Sequence, residues 1–357
     1  MAEYAALLPV NLITGFLGSG KTTLLQRLLR SPALANTAVL VNEFGEVGLD
    51  HLLLEAVDAE TVILQSGCVC CTIRGDLADA MRALYSKRER GLVPRFDRLA
   101  IETTGLADPA PIVATLVAEP VLRHHFRLGS IVTTIDGVNG ARHLAMNPES
   151  VKQVAVADRL VVTKSDLALP ASIRALGAEL ARLNPAAPIL DAQADPLAAD
   201  DLMTSDVYDP ASKPAEVARW LRREVLPHAS HPAHHGHDRS RHGPDIHAFC
   251  LTFEQPLDWA GFGIWLTMLL HVHGNDVLRV KGILNVVDVA TPVVIHGVQH
   301  IVHPPAHLAR WPDNDRRSRI VFIVRGLERG PIERSLAAFA RLDDPRPLPA
   351  GHAQAAS

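Results

Sequence analysis

Short apolar runs, many of them β-branched, alternate with longer amphipathic stretches over residues 9–190. This alternation is typical of a parallel sheet covered by helices on both faces, and runs that are apolar at every position fit strands buried from both sides. The predicted class is therefore α/β, with a doubly wound, mostly parallel sheet. We predict strands at Pro9–Thr14, Thr37–Asn42, Thr61–Leu64, Arg98–Glu102, Ser130–Asp136, Arg159–Thr163 and Pro188–Leu190, and helices at Thr22–Arg30, Asp76–Arg90 and Ala171–Leu183.

The pattern changes beyond this first domain, which we place at residues 1–205. A helix is predicted at Pro214–Val225, and the histidine-rich stretch after it carries too few large apolar side chains to fold alone, so residues 206–245 are predicted to be a helix followed by a flexible linker. Regular patterns return at residues 246–342, which we predict to form a small C-terminal α/β domain. Residues 343–357 are predicted to be a disordered tail.

The first predicted element of the C-terminal domain is a strand at 247–256, and helices and further strands follow it. We predict its helices at Asp258–Leu270 and Pro331–Leu342, and its further strands at Asp276–Val280, Pro292–His296 and Arg319–Val324.

Composition narrows the classes of function that the chain can serve. With 357 residues, 48% hydrophobic and 21% charged, it can bury full cores. Lys and Arg number 35 against 39 Asp and Glu, a net charge of −4, so no basic field indicates a nucleic-acid partner. No apolar run is long enough for a membrane helix, and the first residues lack a basic leader. We therefore expect a cytoplasmic protein without a membrane partner.

A glycine-rich stretch, GFLGSGKTT, lies directly between the first apolar strand and the helical sequence LLQRLLR. It fits the P-loop pattern Gly15-x-x-x-x-Gly20-Lys21-Thr22, whose backbone N–H groups surround phosphate oxygens at the start of a helix. Lys21 is predicted to contact the β- and γ-phosphates and Thr22 to bind Mg²⁺. The predicted nucleotide contacts are Gly15, Gly18, Ser19, Gly20, Lys21, Thr22 and Thr23.

The stretch FDRLAIETTG is a predicted strand that ends in an acid, with a glycine three positions later. In nucleotide hydrolases built on a P-loop sheet, an acid at a strand's carboxyl end meets Mg²⁺, and a glycine N–H approaches the γ-phosphate. We therefore predict that Glu102 is the Mg²⁺-side acid and that Gly105 senses the γ-phosphate.

Another strand ends in Thr163-Lys164-Ser165-Asp166, which resembles the guanine motif of P-loop GTPases. Guanine offers two donors that one carboxylate can accept together, whereas adenine would present a lone pair to Asp166. Thr163, Lys164 and Asp166 are therefore predicted to bind the base of GTP. Because Thr163 replaces the commoner Asn, we expect a weaker tie between the loops.

Three of the four cysteines fall within four positions, in Gly67-Cys68-Val69-Cys70-Cys71. Thiolates at this spacing in a loop can converge on one cation, and soft sulfur ligands select zinc or copper(I). A four-coordinate site needs one more ligand, which we take to be Glu46 from among Glu43, Glu46, Glu119, His124 and His125. Cys250 lies in a predicted strand and is expected to be a packing residue.

Histidine is the other compositional excess, at 18 residues, seven of them between His228 and His247. Their irregular spacing in the predicted linker indicates weak, exchangeable binding of Zn²⁺, Ni²⁺ or Co²⁺, or simply a soluble linker. The histidines from His296 to His307 are expected to be surface or half-buried side chains.

Together these residues resemble a known family, the CobW-type P-loop GTPases, which are metallochaperones. GFLGSGKTTLL is similar to that family's nucleotide loop, VNEFGEVGLD to its first switch region, GCVCC to its metal motif, ETTGLADP to its acid and glycine, and TKSD to its guanine motif. Residues from about 246 to 342 resemble the CobW C-terminal domain. The resemblance implies GTP hydrolysis coupled to metal handling, with zinc the usual ion and cobalt in some branches.

The primary hypothesis is a GTPase that carries Zn²⁺, or Co²⁺ as an alternative, to a metalloprotein client. Its catalytic residues are predicted to be Lys21, Thr22, Glu102 and Gly105, with GTP and Mg²⁺ bound at the P-loop. One rival is a metal store or sensor in which GTP is only regulatory. A second rival is a P-loop kinase or ATPase that uses ATP.

Overall fold

A computed structural model of the chain describes residues 7–41, 63–65, 73–193, 202–203 and 246–340, with the backbone alone at 63–65 and 73–76. The cysteine motif, Glu46, the predicted helix at 214–225, the histidine-rich linker and the C-terminal tail lie outside the described residues. Within the described part, no helix combines the length and apolar character needed to cross a membrane.

The N-terminal domain is built on a seven-stranded sheet in the order β3-β2-β4-β1-β5-β6-β7. Every neighbouring pair in it is parallel, which confirms the predicted fold class. Every residue of Phe126–Asp136 and of Arg159–Thr163 is buried, and three further strands are buried over most of their length, as their apolar sequences require. Its strands are β1 (Leu8–Gly15), β2 (Thr37–Val41), β3 (Ile63–Gln65), β4 (Arg98–Glu102), β5 (Phe126–Asp136), β6 (Arg159–Thr163) and β7 (Ile189–Asp191).

Seven helices connect these strands in the described part of the domain: α1 (Lys21–Leu29), α2 (Ile73–Glu89), α3 (Ala110–Ala118), α4 (Pro120–His125), α5 (Gly140–Met146), α6 (Pro148–Val156) and α7 (Pro170–Leu183). The three predicted helices correspond to α1, α2 and α7. No prediction covers α3 to α6, because α3 is apolar nearly all round and the other three are short, two of them beginning at prolines. These unpredicted helices include α3 and α6, which both contact the segment that follows Gly105.

The C-terminal domain contains a six-stranded antiparallel sheet in the order β11-β10-β9-β13-β8, with β12 paired to β10. It confirms the predicted small α/β domain, although β9 continues four residues beyond the predicted Val280. The elements are β8 (Ile246–Phe253), α8 (Trp259–His273), β9 (Val277–Leu284), β10 (Val293–Val298), β11 (Ile301–Val302), β12 (Ala306–His307), β13 (Ser318–Arg325) and α9 (Arg329–Phe339).

The two faces of this second sheet serve different purposes. Ile320 and Phe322 of β13 point into a core shared with α8 and α9. The alternate residues of β13 point the other way, toward the N-terminal domain. There Val321 packs in one cluster with Ala186, and Ile323 packs in another with Leu160. The sheet is therefore a layer between its own helices and the first domain.

A group of polar side chains, which we call the interface cluster, is buried where the domains meet. Asp158 follows α6 and accepts hydrogen bonds from Arg279 of β9 and from the backbone N–H of Ile131, and the amino group of Lys281 lies 3.0 Å from its carboxylate. Burial raises the pKa of Asp158, but the two cations outweigh it and hold that pKa well below its usual range. The members of the interface cluster are Asp158, Arg279, Lys281, His296 and His303, each at most 3% exposed.

The prediction that His296 and His303 lie at or near the surface is wrong. Both are buried in the interface cluster, at 3% and 1% exposure. Burial, together with the nearby cations, lowers the pKa of His303 to about 3, and lowers that of His296 well below its ordinary value. Their burial depends on the docking of the second domain, which no local pattern in the sequence records.

Candidate functional site

The predicted P-loop joins the carboxyl end of β1 to the start of α1. Gly15 has a φ of +142°, and a Cβ at this position would lie 2.3 Å from the Thr134 hydroxyl, so the strand can turn here only with glycine. Gly20, with a φ of +86°, is the residue from which α1 begins. The loop therefore presents its backbone N–H groups at the positive end of a helix, as a phosphate site requires.

The lysine of the loop folds back over it. The Lys21 amino group donates to the backbone carbonyls of Gly15 at 3.1 Å and of Phe16 at 3.3 Å. Its charge is thus held at the phosphate-facing side of the loop.

Thr22 and Glu102, predicted to bind Mg²⁺, come together although 80 residues separate them in sequence. The Thr22 hydroxyl donates to a Glu102 carboxylate oxygen at 2.6 Å. Glu102 ends β4 and is only 5% exposed, so the strand fixes its position beside the loop. A hydroxyl and a carboxylate are hard oxygen ligands of the kind that Mg²⁺ prefers, so these residues fit that ion.

Gly105 lies against the P-loop, as its predicted role requires. A Cβ on this residue would lie 2.7 Å from the backbone nitrogen of Leu17, so only glycine allows this approach. Its carbonyl accepts a hydrogen bond at 3.1 Å from the side-chain amide of Gln153, which also donates to the Ala107 carbonyl at 3.0 Å. No sequence pattern indicated Gln153, because α6 itself was not predicted.

Asp108 also helps to fix the segment that follows Gly105. One Asp108 oxygen accepts the backbone N–H of Ala110 at the start of α3. Its other oxygen lies 3.5 Å from the Lys152 amino group of α6 and accepts from the Gln299 amide of the C-terminal domain at 3.3 Å. Residues 105–110, which we call the switch segment, are therefore linked to both α6 and the second domain.

The predicted guanine motif lies beside the P-loop at the carboxyl end of β6. The Thr163 hydroxyl donates to the Ser19 carbonyl at 2.8 Å, so a hydroxyl ties the two loops directly. The expectation that threonine weakens this tie is therefore not supported by the geometry. Asp166 is exposed in a short 3₁₀ turn (Ser165–Leu167), where a bound base could reach its carboxylate.

Lys164 connects the same motif to a further acid that the sequence analysis did not identify. Its backbone adopts a left-handed φ of 54°, and its amino group donates to the Gly18 carbonyl at 2.8 Å and to Asp136 at 2.7 Å. Burial raises the pKa of Asp136, but the hydrogen bonds from Lys164 and from Asn139 and Val138 together lower it to about 2. The signal in the sequence for Asp136 is its position as an acid at the end of a strand, directly before Gly137.

The strand before the cysteine motif ends at the same sheet edge as Glu102. In the parallel register, Gln65 of β3 is opposite Val41 of β2, and Val41 is opposite Glu102 of β4. Two strand spacings correspond to about 10 Å. The cysteines Cys68, Cys70 and Cys71, together with Glu46, fall outside the described residues, and the described residues contain no group of three metal-binding side chains.

Two of the alternative fourth ligands already have other partners. The Glu119 carboxylate accepts the Leu122 backbone N–H at 2.7 Å, capping α4, and an Arg82 hydrogen bond at 2.8 Å. The His125 ring stacks on Tyr85 at 4.0 Å. Arg82 and Tyr85 both belong to α2 and lie at least nine positions beyond its first residue, which is a rise of about 13 Å or more along the helix. They are therefore remote from the end of α2 that follows the cysteines.

Comparison with known proteins gives two family matches that divide the chain as the structure does. Residues 9–191 match the family described as CobW/HypB/UreG, nucleotide-binding domain, and residues 246–340 match the cobalamin synthesis protein cobW C-terminal domain. The first match alone spans more than half of the chain.

Individual relatives agree with this assignment. The chain is 31% identical over 333 residues to the zinc chaperone YjiA of Escherichia coli, covering 93% of this chain and 98% of that protein. It is 29% identical over 354 residues to the zinc-regulated GTPase metalloprotein activator 1 of Schizosaccharomyces pombe, covering 90% and 83%.

A solved structure shares the fold. The crystal structure of Zn(II)-bound YjiA GTPase from E. coli superposes with a TM-score of 0.68 at 24% identity, covering 93% of this chain and 99% of that one. From the two family matches and the assembled P-loop, the chain belongs to the CobW/HypB/UreG family of P-loop GTPases.

Proposed function

We propose that the protein is a GTP-hydrolysing metallochaperone that binds Zn²⁺ and transfers it to a client protein in a step that depends on GTP. The observation that carries this proposal is the register from Gln65 through Val41 to Glu102, because it starts the cysteine motif at the edge where the nucleotide residues assemble. The names of the relatives, zinc chaperone and zinc-regulated GTPase metalloprotein activator, support the choice of ion.

On the nucleotide side, we assign each residue a role. Lys21 binds the β- and γ-phosphates, and Gly105 approaches the γ-phosphate through its backbone N–H. Thr22 and Glu102 hold Mg²⁺, which when bound neutralises charge that develops on the phosphates. The backbone of the loop at Gly15, Gly18, Ser19, Gly20 and Thr23 surrounds the phosphates, and Thr163, Lys164 and Asp166 bind guanine.

On the metal side, Cys68, Cys70, Cys71 and Glu46 bind the ion as cargo, with Co²⁺ the alternative to Zn²⁺. Glu46 follows β2 by five residues in the sequence and the cysteines follow β3, and these two strands are parallel neighbours, which supports a site with ligands from both segments. The γ-phosphate orders switch segments in GTPases, and a shift of Glu46 relative to the thiolates changes metal affinity. By reciprocity, the bound metal must alter GTP affinity by the same factor.

The domain division that we propose follows from the same roles. Residues 1–205 form the GTPase domain with the metal motif, 206–245 the linker, 246–342 the C-terminal domain and 343–357 the tail. The C-terminal domain is the surface that we assign to the metalloprotein client.

Phosphate release from GTP and from ATP, each with and without Zn²⁺, tests the proposal. We expect turnover of GTP above ATP and a response to Zn²⁺ in the wild type. A Cys68→Ser, Cys70→Ser, Cys71→Ser variant is expected to lose the Zn²⁺ response. Cys250→Ser is the matched control, since that cysteine lies in β8 of the other domain.

Three measured outcomes would overturn parts of the proposal. Equal turnover of ATP and GTP would remove the guanine assignment. Equal Zn²⁺ affinity in the GDP state and in the state bound to a GTP analogue, measured by chelator competition, would remove the coupling. Negligible turnover with several ions bound per chain would instead favour a metal store or sensor in which GTP is only regulatory.

A further inference from the structure

A buried amide contacts the segment that carries Gly105. Gln153 of α6 is 1% exposed, and its side-chain nitrogen lies 3.1 Å from the Gly105 carbonyl and 3.0 Å from the Ala107 carbonyl. Both partners are acceptors, so the group that faces them must be the amide NH₂. Two donors of one side chain thus fix two carbonyls of the switch segment.

Gln153 also lies next to the P-loop. Its side chain lines a small cavity together with Phe16 and Ser19 of the loop. The Thr133 hydroxyl of β5 donates to the Gln153 backbone carbonyl at 2.9 Å, which ties this turn of α6 to the sheet. The Gln153 side-chain amide therefore extends from a backbone position that the sheet holds in place.

The acceptor end of the Gln153 side chain carries an energetic penalty. Among the described residues, the Gln153 side-chain oxygen has no hydrogen-bond partner although it is buried. A buried acceptor without a partner is unfavourable, and an apolar side chain of the same length would avoid that penalty. The donors to Gly105 and Ala107 are what an apolar side chain would lack.

We propose that Gln153 is a positioning residue that holds Gly105 where its N–H meets the γ-phosphate, and so sets the preference for the triphosphate over the diphosphate. Glycine has no Cβ to restrict its backbone, so its N–H direction must be fixed from outside. Gln153 does this through the carbonyl of the same residue. The inference rests on the proposed function, because the contact between Gly105 and the γ-phosphate is part of it.

Gln153→Met tests the inference because it keeps the length of the side chain and removes both donors. Asn184→Leu is a matched control. Asn184 is also 1% exposed, its amide donates to three carbonyls at the end of α6 (2.8 to 3.2 Å), and its oxygen also has no partner among the described residues. Its bonds do not involve the switch segment.

The measurement is the affinity for GDP and for a non-hydrolysable GTP analogue, with Mg²⁺, by fluorescence titration. We expect Gln153→Met to lower the ratio of analogue to GDP affinity about tenfold, the effect of losing one to two hydrogen bonds, while Asn184→Leu stays within about twofold of the wild type. Gln153→Asn, which keeps the amide but withdraws it from the carbonyls, is expected to lower the ratio as well.

The outcomes separate this inference from the proposed function. If the wild type prefers the analogue and Gln153→Met keeps that preference, the positioning role is wrong while the GTPase assignment stands. The same holds if Asn184→Leu lowers the ratio as much as Gln153→Met does. If the wild type neither prefers the analogue nor hydrolyses GTP, the proposed function itself fails.

Discussion

Removing the Asp158 carboxylate measures how far the domain interface depends on one buried anion. Asp158, Arg279 and Lys281 are 3%, 2% and 3% exposed, and both cations face the same carboxylate oxygen. Asp158→Ala leaves two cations in the interface without the carboxylate that faces them. It also leaves the Ile131 backbone N–H without the acceptor that lies 3.1 Å away.

The expected loss is large relative to the stability of a domain. Removing one partner of a buried ion pair costs about 3–5 kcal/mol, against a total of about 5–15 kcal/mol for a typical protein. The pKa of Asp158 lies well below that of an unfolded aspartate, so its contribution is fully present above about pH 4. It is lost only as the pH falls further, and the predicted loss is therefore constant between pH 5 and 8.

Urea denaturation reports this loss in the domain concerned. All four tryptophans lie after residue 205, so tryptophan fluorescence follows the C-terminal part of the chain, and far-ultraviolet circular dichroism follows both domains. The control is Asp158→Leu combined with Arg279→Met and Lys281→Met, which removes both signs of charge and is expected to be near neutral. A loss below about 1 kcal/mol for Asp158→Ala, or an equal loss in the triple variant, would refute the reasoning.

Three further predictions concern single residues. His303 stays neutral in the fold because burial lowers its pKa to about 3, whereas an unfolded histidine binds a proton below about pH 6.5. Acid therefore destabilises the fold, and urea denaturation at pH 7.5 and 5.5 should show His303→Leu about 1.4 kcal/mol less sensitive to acid than the wild type; equal sensitivity contradicts this. Gly105→Ala places a Cβ 2.7 Å from the Leu17 backbone nitrogen. It should slow phosphate release from GTP by roughly tenfold or more, and a wild-type rate would show that Gly105 need not approach the loop. Asp136→Asn weakens the hold on Lys164, so titrations should show affinities for GTP and GDP reduced alike, by roughly tenfold; a change for one nucleotide alone would contradict the shared role.

The parallel sheet was predictable because its strands are apolar runs with polar ends. Arg98–Glu102 and Arg159–Thr163 begin and end as predicted. The predicted Ser130–Asp136 is too short because β5 starts at Phe126 and includes Gly129, a residue that normally weakens a strand prediction. That glycine is required by packing, since a Cβ there would lie 2.5 Å from the Asn11 side-chain oxygen. Such a contact between neighbouring strands has no local signature.

The candidate site also contains some residues that local sequence patterns predict and others that they do not. The P-loop, Glu102 and the guanine motif are local patterns next to strand ends, so their residue types and spacing are sufficient to predict them. Gln153 acts on a carbonyl 48 residues away, and Lys164 meets Asp136 across 28 residues. These contacts depend on which helices and strands become neighbours, and they appear only once the sheet order is known.

Helix α6 connects the switch segment to the domain interface. Lys152 and Gln153 of α6 contact the segment that contains Asp108, and the chain leaves α6 directly into Asp158 of the interface cluster. The C-terminal domain also reaches the switch segment itself, through the bond from Gln299 to Asp108. A shift of that segment with nucleotide state therefore has to remake a contact with the C-terminal domain. By reciprocity, a client that binds the C-terminal domain and moves Gln299 must change nucleotide affinity, which gives the proposed metal transfer a physical route.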